Sequence, residues 1–291
     1  MNYLEAREII DKWFSGIKQL PTLPVVYYKL DDALKDPETS GQDIAKIIEK
    51  DQSLTLKILK VVNSAFYGFP SKIIHVSNAV VILGFREVQN LALAISILDM
   101  FEETEGAKGL DYKKFWGEAL RTSIIASILS KRQKSLSHIQ PETAFVAALL
   151  QDIGLLILDQ YKHETFVKIV SFAEEKDLML HTVEKKALGF THQEVGEYVL
   201  ENWKLPNLLI KVVGFHHDPV KRIYEKEEFG LISVVYVSHL LGYALEEGVD
   251  KLAPEFVDEC WKEVGLEVSE IEPILNEAAD LYEGMAAVLF E

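Results

Sequence analysis

Cysteine is almost absent. Cys260 is the only one in 291 residues, which excludes an internal disulfide framework and fits a reducing compartment. Its neighbour Trp261 suggests ordinary packing for the thiol. Basic residues are also scarce, with 30 Lys and Arg against 46 Asp and Glu for a formal charge of −16. That surplus repels phosphodiester backbones and anionic lipid surfaces unless a local basic patch reverses it. The candidate patches, Lys131-Arg-Gln-Lys134 and Lys221-Arg222, are short, so nucleic-acid binding is disfavoured. No uninterrupted apolar run approaches the roughly 20 residues needed to span a bilayer. The opening stretch Met1-Asn-Tyr-Leu-Glu-Ala-Arg-Glu8 lacks the apolar core of a signal peptide. The expectation is a cytoplasmic chain without membrane association. P-loops, glycine-rich dinucleotide fingerprints, repeats and low-complexity tracts are missing as well.

What is present is helical periodicity supported by 48% hydrophobic residues, enough for a sizeable core. From Asp51 to Asn63, the residues Leu54, Ile58, Val61 and Val62 fall on one stripe. Ser40 with Asp43 fits a capping box for Gly41–Glu49, and Pro24 can open a helix at its first turn. Ser77 precedes an apolar helix that Gly84 can end, and the next runs from about Arg86 to Met100. Further helical patterns cover Tyr112–Ser130, Pro141–Tyr161, Glu164–Glu175, Thr191–Trp203 and Phe229–Leu245. The tail from Ala253 to Phe290 reads as helix interrupted near Gly265 and Pro273. The polar stretch Glu102–Gly109 is the best internal boundary. An all-α protein of two lobes follows: an extension over 1–19, a domain over 20–245 divided into 20–105 and 110–245, and a helical segment over 246–291.

The chemistry centres on Asp152 in the apolar run Phe145-Val-Ala-Ala-Leu-Leu-Gln-Asp-Ile-Gly-Leu-Leu-Ile-Leu158. An ionised carboxylate buried there needs a cation, a set of donors or a helix end. His192 follows Thr191, which with Glu194 fits a capping box. On that helix His192, Val195 and Val199 share the inward face. His216 and His217 stand before Asp218-Pro219, where a helix must end. With Asp152 these histidines make a three-nitrogen, one-oxygen set suited to zinc, iron or manganese. Structural readings compete: Asp152 as an N-cap, His192 as a hydrogen-bonded core residue, and the pair as partners of a helix dipole.

The motifs Leu20-Pro-Thr-Leu-Pro24, Asn63-Ser-Ala-Phe-Tyr-Gly68 and Ala79-Val-Val-Ile-Leu-Gly-Phe-Arg-Glu-Val-Gln-Asn-Leu-Ala-Leu93 are similar to those of the HDOD family. The resemblance continues through Phe115-Trp116, Ala147-Ala-Leu-Leu-Gln-Asp-Ile-Gly154, Gly189-Phe-Thr-His192, Trp203-Lys-Leu-Pro206 and His216-His217. It implies an all-helical fold with a second lobe similar to the HD superfamily of metal-dependent phosphohydrolases, used in signalling or regulation, often without demonstrated activity. Asp152, His192, His216 and His217 match the ligands of one ion in a two-metal HD site. The positions for the other ion depart from the pattern: Glu118 and Gln151 replace histidines, and His239 aligns with a late aspartate. Leu155 stands where cyclic-di-GMP-hydrolysing relatives carry lysine.

Two functions follow as expectations. The first is a non-catalytic signal-transduction or regulatory module with a protein partner, in which any single divalent ion is structural. The second is a single-metal phosphohydrolase acting on a nucleotide or phosphomonoester, with Glu118 as ligand or base. Asn63, Phe66, Tyr67 and Arg86 are open to either packing or ligand recognition.

Overall fold

The structure, a computed structural model, describes residues 3–15, 21–101, 109–219, 225–247 and 258–290. Among these residues the regular structure is helical throughout, with fifteen α-helices, one short 3-10 turn and no strand. The expected boundary at Glu102–Gly109 lies, apart from Gly109, outside the described residues, as do Lys221-Arg222 and residues 248–257.

Helices α1 (Tyr3–Ser15), α2 (Val25–Leu34), α3 (Gly41–Ile48), α4 (Gln52–Val62), α5 (Val76–Leu83) and α6 (Phe85–Met100) come first. α2 packs on α3 and α6, α3 on α5, and α4 on α6. Local chemistry sets their ends. Ser40 and Asp43 exchange side-chain-to-backbone hydrogen bonds, both at 3.3 Å, at the start of α3. Asp51 accepts the Leu54 N–H at 3.0 Å and so caps α4. The stripe of Leu54, Ile58, Val61 and Val62 is buried. Gly84, at φ 101°, lets the chain bend by 120° between α5 and α6.

The remaining helices are α7 (Tyr112–Arg132), α8 (Pro141–Leu150), α9 (Ile153–Lys176), α10 (Leu180–Ala187), α11 (His192–Asn202), α12 (Asn207–Phe215), α13 (Lys226–Glu247), α14 (Asp258–Val264) and α15 (Val268–Leu289). α7 is central here, flanked by α8, α13 and α15, while α11 packs on α9 and α12. α6 meets α8, α15 meets α4, and α1 meets α11. One large cluster of buried hydrophobic residues therefore includes both Ala6 and Met285, with Ile169, Ala173 and Val183 forming a small separate cluster.

Several boundaries differ from expectation. The pattern over Pro141–Tyr161 is two helices, because Asp152 leaves helical geometry at φ −99°, ψ 14°. Near Tyr161 the chain only kinks, at Lys162 (φ −135°). Ser77 lies inside α5, Pro24 is the residue before α2, and Pro273 sits within α15 without ending it. Pro273 leaves the Ser269 carbonyl without its helical N–H and crowds it with the ring, yet α15 continues, packed against α7 and α4. Gly265 does interrupt the tail, at φ 71°. Two stretches, Pro141–Lys176 and Lys226–Leu245, are long and apolar enough to cross a membrane by length and composition, contrary to the reading from uninterrupted runs. Their apolar windows are 72% and 67% buried, so most of that surface is used against the core.

Candidate metal centre

The site begins where α9 and α11 cross. A Cβ built on Gly154 would overlap the His192 carbonyl oxygen and lie 2.9 Å from the Gly196 nitrogen. Only a residue without a side chain permits this approach, which brings Asp152 beside the start of α11. That start is fixed by its cap: Thr191 Oγ1 accepts the Gln193 N–H at 3.2 Å, and Glu194 accepts the Thr191 N–H at 2.8 Å. At the end of α12, His216 is the C-cap and His217 follows it. The chain thus delivers a carboxylate and three imidazoles from two helix starts and one helix end.

Asp152 Oδ1 lies 3.2 Å from His192 Nε2 and 3.1 Å from His216 Nε2, and His217 Nε2 lies 3.2 Å from His192 Nε2. One ligand atom from each of the four residues falls within 4.8 Å of all the others. The second ring nitrogens explain the tautomers. His216 Nδ1 faces the Val213 carbonyl at 2.9 Å and His192 Nδ1 faces Glu184 Oε2 at 2.7 Å. Each Nδ1 therefore carries the proton, and each Nε2 turns a lone pair toward the centre. Lone pairs crowding a carboxylate repel unless positive charge joins them, and a divalent cation bound by Asp152, His192, His216 and His217 supplies it. The donor set fits such an ion on chemical grounds.

Without an ion, a proton plays that part. Burial opposes charge on His192, but the Glu184 carboxylate and the hydrogen bonds to Asp152 and Glu184 override it and raise the imidazole to about 10. Burial also pushes the Asp152 carboxyl upward, yet His216 and His192 hold it well below the usual carboxylate range. Burial and the neighbouring imidazoles of His216 and His192 keep His217 well below its ordinary value. An ion entering the cluster displaces the His192 proton, so loading and protonation compete. Asp152 occupies the N-cap position of α9 but makes no side-chain cap bond, so its carboxylate is directed to histidines and not to the helix end.

The expected second-site residues separate. Gln151 Nε2 donates to Asp152 Oδ2 at 3.0 Å and to His239 Nδ1 at 2.9 Å. His239 also sits edge-on to His217, ring centres 5.6 Å apart. Glu118 is 51% exposed and faces Lys114 at 3.7 Å, and its carboxylate is not one of the clustered ligand atoms. Sequence reasoning missed two residues of α10. Glu184, fully buried, receives both the His192 ring and its backbone N–H, the latter at 2.9 Å. His181 stacks on His217 at 4.5 Å. The i, i+3, i+7 set His181, Glu184 and Leu188 was the available sign of a shared helix face. Of the N-terminal motif residues, Phe66 packs on Phe145 of α8 at 5.4 Å and Tyr67 stacks on Phe69 at 5.9 Å. Arg86 is exposed.

A chain helical across its described residues that converges one carboxylate and three imidazoles is a helical domain built around a His/Asp cluster of metal-ligand types. More specifically, it belongs to the HDOD domain family, whose model matches residues 20–219. An uncharacterized protein of Treponema pallidum (strain Nichols) is 26% identical over 202 residues, which are 69% of this chain and 38% of that protein. The chain thus spans well under half the length of the curated relatives it matches. An HDOD domain protein of unknown function from Geobacter sulfurreducens has the same fold, with a TM-score of 0.77 at 22% identity over 99% of this chain and 98% of that one. A Shewanella amazonensis SB2B protein with a provisional phosphohydrolase name gives 0.75 at 21% identity, over 98% and 97%.

Proposed function

We propose that this HDOD chain is a non-catalytic signalling or regulatory module in which a single divalent ion (iron, manganese or zinc) ties α9, α11 and α12 together at Asp152, His192, His216 and His217. The observation that carries the reading is the Gln151 amide. Its nitrogen donates to both Asp152 Oδ2 and the His239 ring, groups at two positions that the family resemblance assigns to a second ion. The opposite amide orientation would set Oε1 against Oδ2, two acceptors facing each other. An amide N–H cannot ligate a cation, so the amide satisfies these lone pairs while closing the position. Two-metal phosphoester hydrolysis needs paired ions to hold the attacking and leaving oxygens in line and to activate water between them. A chain that closes one ion's position retains the scaffold and gives up that chemistry.

Elemental analysis of protein purified without chelators tests the reading. The expected result is close to one transition-metal ion per chain, lost in Asp152→Ala, with no turnover of cyclic dinucleotides or aryl phosphates in added manganese. A single-ion phosphohydrolase is the competing outcome, and the Shewanella protein of the same fold carries a phosphohydrolase name. Metal-dependent turnover that survives repurification and disappears in Asp152→Ala would establish it and sink the regulatory reading.

A further inference from the structure

We infer that a groove between α4, the segment following it and the end of α15 is a docking site for a short amphipathic, acidic segment of a partner protein. This deepens the regulatory reading by naming the partner's chemistry. The groove encloses about 790 Å³. Leu56 and Lys60 of α4, Lys72 and Ile74 of the following segment, and Val288 of α15 are among the residues that line it. Leu56 and Ile74, which both line the groove, are 63% and 62% exposed, so two large aliphatic side chains lie open to solvent on one concave surface.

The groove is held open by its own construction. Asn63 Oδ1 accepts the Ile73 N–H at 2.7 Å, while its Nδ2 donates to the Ile73 and Leu59 carbonyls, both at 2.7 Å. One amide therefore fixes the backbone on both sides of the groove and presents Lys72 and Ile74 in a set direction. Ser64 Oγ donates to Met285 Sδ at 3.3 Å, tying the same segment to α15. A preformed apolar groove lowers the ordering cost of binding and suits an amphipathic helix laid along it.

Charge selects the occupant. The chain carries −16 overall, yet no carboxylate lines this groove, and its two charged side chains are Lys60 and Lys72. Neither lysine is paired with a carboxylate among the described residues, in contrast to neighbouring Lys57, which pairs with Asp99. A basic-rimmed apolar groove on an acidic molecule attracts acidic-apolar segments and repels a second copy of the same acidic chain.

Selection of a helical-peptide phage library against the full-length chain tests this. The expected binders combine spaced aliphatic residues with flanking Asp or Glu. Their synthetic peptides should lose at least tenfold in affinity toward Lys60→Glu/Lys72→Glu and toward Leu56→Ser, and should weaken with salt. Lys29→Glu, an exposed lysine outside the groove, should leave binding unchanged. Circular dichroism and metal content of the groove variants should match wild type, and binding should persist in Asp152→Ala. Failure here is thereby separated from failure of the cation-site reading. Binders that lack acidic residues, binders indifferent to the groove variants, or no binders at all would overturn the proposal. So would a wild-type dimer in sedimentation that Leu56→Ser dissolves, because the groove would then be filled by a second copy.

Discussion

Glu184 shows how much of the His/Asp cluster is organised from behind the atoms that face its centre. Its carboxylate is fully buried, contacts no proposed ion, and fixes which nitrogen of His192 faces the centre. It also raises the basicity of that ligand, the usual role of a carboxylate behind a metal-bound histidine. Glu184→Gln keeps an oxygen acceptor for Nδ1 and removes the charge. The expected result is a fall of roughly 10- to 100-fold in metal affinity, measured by chelator competition. The His192 titration, followed by NMR in chelated protein, should drop from about 10 toward the ordinary histidine value. Unchanged affinity would reduce Glu184 to a packing residue. The four clustered residues were legible from their contexts: a carboxylate in an apolar run, a histidine just inside a cap, and a histidine pair before proline. Glu184 was not, because the partner of a ring's far nitrogen obeys no sequence spacing and is chosen by where α10 packs.

At the scale of helices, the α9–α11 crossing is the geometric cause of the site, and Gly154 is its most sensitive position. The Cβ of Gly154→Ala would overlap the His192 carbonyl, so the helices must separate. Overpacking of this kind costs about 1–3 kcal/mol. Urea unfolding should register that loss together with reduced metal content, because Asp152 and His192 ride on the two helices being separated. A stable variant with full metal occupancy would show that the crossing is slack. A remote cap provides a pH-dependent contrast. Hydrogen bonds from the Ser40 hydroxyl and Lys46, with the Ser40 N–H, hold the Asp43 carboxyl below its ordinary value. A depressed folded-state value means that its contribution is present above the unfolded carboxyl range and is lost as pH falls through the folded value. The Tm gap between wild type and Asp43→Asn should accordingly be open at pH 7 and close in acid. A gap independent of pH would mean the charge adds nothing to the cap. Caps were readable because they are local. The break at Asp152 was readable only as one of two readings, an N-cap inside an apolar run that also patterns as a single helix from Pro141 to Tyr161.

For the whole molecule, the question is whether an ion bound at the His/Asp cluster would stabilise only the helices that carry it. One main core cluster includes residues from Ala6 in α1 to Met285 in α15. α15 reaches from α7 to α4, α6 packs on α8, and Phe66 packs on Phe145. Apolar surface buried across those contacts would be exposed if either half unfolded alone, which favours joint unfolding. Ion binding to the folded state adds about 2.7 kcal/mol at a free concentration one hundred times Kd. In a cooperative molecule that increment protects every element that opens only by global unfolding. Hydrogen exchange read by mass spectrometry distinguishes the two cases. Chelation should speed exchange of the slowest amides in α4, around Ile58 and Val61, by the same factor as those in α11. Acceleration confined to α9–α12, with α4 unaffected, would show that the two regions open independently and that the ion acts only locally.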